Sequence, residues 1–200
     1  MYTLDPEAAR GAEPTGGRIT EKGKYVGKFL RAQHIVADSG TKGIDFDFQT
    51  DDGRRARFSI YTEKGDGTRI YGFKQLMAIM TCLSLRQLAD PKPIPAKVFD
   101  FDLNKEVERV VPQFPELLGK PIGLLLTMEE YNPGKWRPNL YAPFQAETEL
   151  VASEILDRKT VPTKLPSMVQ ALRDKPMRSD VPQTAEAPQP DHPALSDIPF

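Results

Sequence analysis

Residues 44–60 constrain this chain most. Ile44, Phe46 and Phe48 alternate with Asp45, Asp47 and Gln49, and Ala56, Phe58 and Ile60 alternate with Arg55, Arg57 and Ser59. A period of two with apolar residues on one side is the pattern of half-buried strands. Between the two runs stands Asp51-Asp52-Gly53. A three-residue loop with Gly53 in the left-handed region pairs Phe46 with Phe58 and Asp47 with Arg57, which keeps both apolar faces together. A two-residue loop at Asp52-Gly53 would set opposite faces against each other and is disfavoured.

The neighbouring segments extend this hairpin into a mainly β domain. Residues 24–33 have the β-branched and aromatic content of a strand, and Gly27 within them implies a bend or bulge. Residues 72–85 switch to helical spacing, with Phe73, Leu76, Met77, Met80 and Leu83 on one side. Cys82 lies in that pattern; as the only cysteine it forms no internal disulfide and reads as a small core residue. After a proline-rich connection at Pro91, Pro93 and Pro95, residues 97–103 alternate again, and residues 121–131 and 136–144 flank a turn at Asn132-Pro133-Gly134. Residues 147–157 and 165–173 read as short helices. Strands, one helix, then a closing hairpin is the order of an OB-fold, a small Greek-key barrel that holds oligonucleotides on its face and loops. The expected architecture is a flexible leader (1–17), an OB-fold-like barrel (18–146), appended short helices (147–178) and a disordered acidic tail (179–200).

Charge follows the same boundaries. The net formal charge is −1, but residues 1–17 carry Arg10 against Asp5, Glu7 and Glu13. Residues 179–200 carry Asp180, Glu186, Asp191 and Asp197 with no Lys or Arg, which leaves residues 18–178 at a net +5. A basic body beside an acidic tail suits a polyanion-binding protein whose terminus competes for its own groove. Pro182, Pro188, Pro190, Pro193 and Pro199 punctuate the tail without apolar periodicity, the composition of a disordered segment. No run approaches the roughly 18 apolar residues needed to cross a bilayer, and residues 1–17 lack the apolar stretch of a secretory signal, so a cytoplasmic location is expected.

The chain closes on Asp197-Ile198-Pro199-Phe200, with Asp191 upstream. In this it resembles the single-stranded DNA-binding proteins of bacteria and phages, which end in several acids followed by Asp-Ile-Pro-Phe. Ser196 stands where that family usually has an acid. Gly23-Lys24-Tyr25 and the Tyr141-Ala142-Pro143-Phe144 run are similar to phage members with an OB-fold. The resemblance implies docking of the tail tip on genome-maintenance partners such as exonuclease I, helicases and a polymerase clamp-loader subunit. The physical logic agrees: Phe200 offers an aromatic anchor, its terminal carboxylate can pair with an arginine, and Pro199 limits the entropy lost on binding.

Single-stranded DNA is held by cations for the phosphates and by aromatic rings on which bases stack. The first hairpin offers Arg55, Arg57 and Tyr61, with Lys64 and Arg69 in the loop beyond; Asp47 opposite Arg57 could neutralise that arginine, whereas Arg55 faces Gln49. The turn before Asn139 gathers Lys135, Trp136 and Arg137 around the only tryptophan. Lys24, Tyr25, Lys28 and Arg31 on the first strand complete the set of candidate DNA contacts, while Phe29 reads as core. Enzymatic readings are weaker. His34 and His192 are too few for a metal cluster, no glycine-rich phosphate loop is present, and the pairs Asp45/Asp47, Asp100/Asp102 and Glu129/Glu130 suit solvated faces. No cofactor or metal is expected. Two rivals are an adaptor that shares the tail's partners without binding DNA, and a Mg²⁺-dependent nuclease whose acidic pairs converge. For assembly, a homodimer paired through an edge strand is expected.

Overall fold

The computed structural model describes residues 16–100 and 105–177, so the expected tail, residues 197–200 included, and most of the leader lie outside it. The described elements are seven strands, three α-helices and one 3₁₀ helix. In chain order they are β1 (Gly23–Val36), β2 (Lys42–Thr50), β3 (Arg55–Glu63), α1 (Tyr71–Cys82), β4 (Lys92–Asp100), β5 (Lys105–Gln113), a 3₁₀ turn (Pro115–Leu117), β6 (Pro121–Asn132), β7 (Lys135–Phe144), α2 (Ala152–Leu156) and α3 (Leu165–Ala171).

The fold is mainly β and OB-like. β1 is long and shared: its first part pairs antiparallel with β6, from Gly23↔Leu126 to Lys28↔Pro121, and its later part with β2, from Gly27↔Thr50 to Val36↔Lys42. Gly27 belongs to both ladders. A Cβ there would lie 2.1 Å from the Gln49 carbonyl oxygen, so only glycine lets the strand bend between its two partners. β3 pairs with β2 and β7 with β6, and α1 packs against both β3 and β7, spanning the seam where the sheet does not close.

The first hairpin has the expected register. Phe46 faces Phe58, Asp47 faces Arg57, and Thr50 N–H donates to the Arg54 carbonyl at 2.9 Å across a loop in which Gly53 has φ 84°. Apolar side chains on its inner side meet Phe29 from β1, with ring centroids 4.5 Å apart for Phe29–Phe46 and 5.4 Å for Phe46–Phe58. Leu76, Ile79, Met80 and Cys82 of α1 and Leu124, Leu126 and Leu140 of the closing hairpin complete this core. Leu125 points the other way, into a second cluster with Phe144, Val151, Leu165 and Leu172. Burial on both faces explains why residues 122–128 are almost continuously apolar.

Two expectations change. The stretch with Pro93 and Pro95, expected as a connection, is strand β4, which pairs with an unanticipated β5 as a hairpin inserted between α1 and β6. Pro93 stands opposite Pro112, a pair in which neither residue can donate, so the prolines occupy non-hydrogen-bonded positions of an edge strand. The appended helices are also shorter than residues 147–157 and 165–173. Glu154 organises them: its carboxylate accepts from the backbone N–H of Val151, Thr163 and Lys164 and from the Thr163 hydroxyl. No described helix is long and apolar enough to cross a membrane.

Candidate nucleic-acid interface

The outer face of β1–β2–β3 is set by register. Four cross-strand rows lie on it: Lys28–Gln49–Arg55, Arg31–Asp47–Arg57, Gln33–Asp45–Ser59 and Ile35–Gly43–Tyr61. Strict alternation along β1 would put Lys28 and Arg31 on opposite faces. A register shift between Phe29 and Arg31 inserts one extra residue, so that Phe29 and Ala32 both enter the core and Lys28 and Arg31 both stay outside.

Asp45 is the hub of this face. Its Oδ2 accepts from Arg31 Nη2 at 2.6 Å and from Arg57 Nη2 at 2.8 Å, and its Oδ1 accepts from Ser59 Oγ at 2.8 Å. Arg57 thus turns diagonally to Asp45 although Asp47 stands opposite it in register. Arg31 is 2% exposed and Asp45 6%. Arg31 therefore offers no open cation; Nη1 donates to Gln33 Oε1 at 2.9 Å, and Nε is buried without a hydrogen-bond partner among the described residues. Burial pushes the Asp47 carboxyl above the usual carboxylate range, against the pull of Arg55, Arg31 and Arg57.

The remaining candidates on this side differ in freedom. Lys28 is exposed at the end of the face that leads toward β6, and across Gln49 in the same row stands Arg55, whose Nη1 lies 3.5 Å from a Glu106 carboxylate oxygen on β5. Tyr61 is exposed at the far end, and Lys64 is exposed in the loop that follows β3. The Arg69 guanidinium stacks 4.2 Å from the centroid of the Phe73 ring. Tyr25 is half-buried beneath Arg54, and its hydroxyl donates to the Glu21 carbonyl at 2.8 Å. Lys24 is drawn away from the face, toward the appended helices, by an ion pair of 2.6 Å with Glu149.

The β6–β7 hairpin forms a second group. Lys135, Trp136 and Arg137 are all exposed, Trp136 at 43%. Arg137 donates to Glu129 Oε2 through Nε and Nη2, at 3.2 and 3.0 Å, and lies 5.7 Å from the Tyr131 ring centroid. Glu130 holds the turn by accepting from Gly134 N–H at 2.7 Å and the incoming chain by accepting from Met177 N–H at 3.0 Å. These bonds keep its carboxyl below the usual range. Lys175 adds a short parallel bridge at Glu129, so residues 174–177 run along the edge of β6 beside this hairpin.

Asp45, Gln33 and Glu106 are not among the residues predicted to form the site. Asp45 was legible as an outward acid of β2, but Glu106 reaches Arg55 through an insertion with no local signal near the first hairpin. Among the described residues no group of three or more His, Cys, Asp or Glu side chains is placed to hold a metal ion. No protein-family model matches the chain, and no curated protein matches it.

Proposed function

We propose that this protein binds single-stranded DNA without sequence preference, in the bacterial cytoplasm, during bacterial or phage DNA replication, recombination or repair. In this reading it is not an enzyme, and Asp197, Ile198, Pro199 and Phe200 recruit maintenance proteins. The observation that carries the proposal is the exposed Trp136 between the exposed Lys135 and Arg137 on the closing hairpin of an OB-like barrel. An indole open to solvent can stack a base, with Lys135 and Arg137 next to it in the chain to reach flanking phosphates, and such stacking contributes about 1–3 kcal/mol per base. Lys28 and Arg55 supply further positive charge on the outer face of the barrel. A buried Trp136 would have favoured the adaptor reading.

Because Trp136 is the only tryptophan, its fluorescence reports on this hairpin alone. Titration with oligo-dT should quench it, with an affinity that falls steeply as salt rises because neutralised phosphates release counterions. The DNA should stay intact on a gel with and without Mg²⁺. Unchanged fluorescence together with no dT binding would support the adaptor, and cleavage would support the nuclease.

A further inference from the structure

The inserted hairpin has an unusual attachment. β4 and β5 pair with each other over nine rungs, from Lys92↔Gln113 to Asp100↔Lys105, yet join the rest of the sheet at one, Gln33↔Gln113. That base is firmly held. Gln113 is 1% exposed, its Oε1 accepts from Ala32 N–H and its Nε2 donates to the Ile94 carbonyl, both at 3.3 Å. Phe114 N–H donates to the Ala32 carbonyl at 3.0 Å.

Seven residues before Gln113, Glu106 meets Arg55 on β3, and its charge also acts on Asp47 of β2. An arm rooted at β1 that reaches β3 must lie across the outer face of the three strands. The arm also has a shielded side. Ile94↔Val111 and Val98↔Val107 share one side and are half-buried, whereas Pro95, Lys97, Glu108 and Val110 on the other are exposed together with Glu106, so the side that meets Arg55 is the open one. On the face that the arm crosses, Arg31 and Asp45 are buried despite pointing away from the core, and Arg31 Nε is a buried donor without a partner.

We infer that the β4–β5 arm is a strap over the DNA face, under which an unpaired strand threads, its phosphates taking Arg55 from Glu106. This rests on the single-stranded DNA reading and extends it to how single strands are told from duplex. An arm fixed at its base and lightly latched at its far end admits one splayed chain. A duplex keeps its bases inside the stack and brings a second backbone that the strap excludes. The latch suits release, because an exposed pair at 3.5 Å holds weakly.

The test uses the full chain with labelled oligo-dT and a duplex of equal length, at fixed salt, on wild type, Glu106→Gln, Arg55→Ala and the double variant. Glu106→Gln should tighten dT binding by about two- to fivefold, the range expected for an exposed ion pair, and the gain should vanish when Arg55 is alanine. Backbone amides of residues 92–98 and 105–113 should exchange more slowly in the dT complex and at their free rate with duplex. No tightening by Glu106→Gln, an equal gain without Arg55, or unprotected arm amides under saturating dT overturns the strap alone. Absence of any dT binding by wild type overturns the DNA reading, and the strap with it.

Discussion

Asp45→Ala isolates the buried charge network on the outer face. Asp45 accepts from Arg31, Arg57 and Ser59, and with Arg31 it forms an ion pair of 2.6 Å whose side chains are 3% and 9% exposed. The substitution leaves the Arg31 guanidinium buried with only Gln33 and the more distant Asp47 to answer it. Removing one partner of a buried pair costs about 3–5 kcal/mol, much of it the penalty of the stranded charge. For a domain of this size that lowers the melting temperature by about 6–20 °C. Arg57 is the internal control: its side chain is 46% exposed, so Arg57→Ala should cost no more than about 1 kcal/mol. Urea unfolding followed by circular dichroism compares the two. The double replacement Arg31→Met with Asp45→Leu should recover part of the loss, because no lone charge is then buried. A cost below about 1 kcal/mol for Asp45→Ala, or a double variant worse than the single, would refute the view that Asp45 is there to neutralise Arg31.

Three further outcomes follow from other parts of the molecule. Burial pushes the Glu154 carboxyl up, but hydrogen bonds from Thr163, Val151 and Lys164 outweigh it and hold the group at about 2, below its ordinary 4.5. Its contribution is therefore complete above about pH 4.5 and is lost as pH falls toward about 2, so wild type should lose more unfolding free energy than Glu154→Gln between about pH 5 and about pH 2.5. Burial alone pushes the Cys82 thiol up to about 12, so a thiol reagent at neutral pH should label Cys82 only at the rate of unfolding; prompt labelling of native protein would contradict its place in the core. Deleting residues 179–200 removes four acids and no Lys or Arg, and should tighten dT binding at low salt with little effect at high salt; an unchanged low-salt affinity would dismiss competition by the tail.

The first hairpin was legible down to its register, because a period of two and a loop closed by Gly53 leave one pairing that keeps Phe46, Phe48, Phe58 and Ile60 on the same side. The α1 helix and the β6–β7 hairpin were legible for similar reasons: spacing and turn chemistry are local. The inserted arm was not. Pro93 and Pro95 read as breakers, and only pairing at an edge makes them tolerable. β5 carries Lys105, Glu106, Glu108 and Arg109 on a projecting hairpin, where packing imposes little apolar pattern. On the candidate face, Arg31 passed for an open cation because the bulge that sets its orientation and the carboxylate that neutralises it come from tertiary pairing. The exposure of Trp136 is not legible in the sequence, since tryptophan is buried more often than not and only the tertiary position of the hairpin decides it.

Several departures from local rules fall together on one face. The Phe29–Phe46–Phe48–Phe58 core, the Gly53 turn and the Glu154 knot follow pattern and satisfy their polar groups. The β1 bulge, the ion pair buried on an outward face and the unpartnered Arg31 Nε all fall on the three-strand surface, as does the charge pair that tethers a weakly attached arm. Each of these costs stability that an apolar or fully solvated face would not. Sequences that otherwise agree across levels tend to break local rules at functional sites. On that ground the outer face of β1–β2–β3, with Lys28 and Arg55 in one cross-strand row, is where the proposed DNA binding is to be tested first.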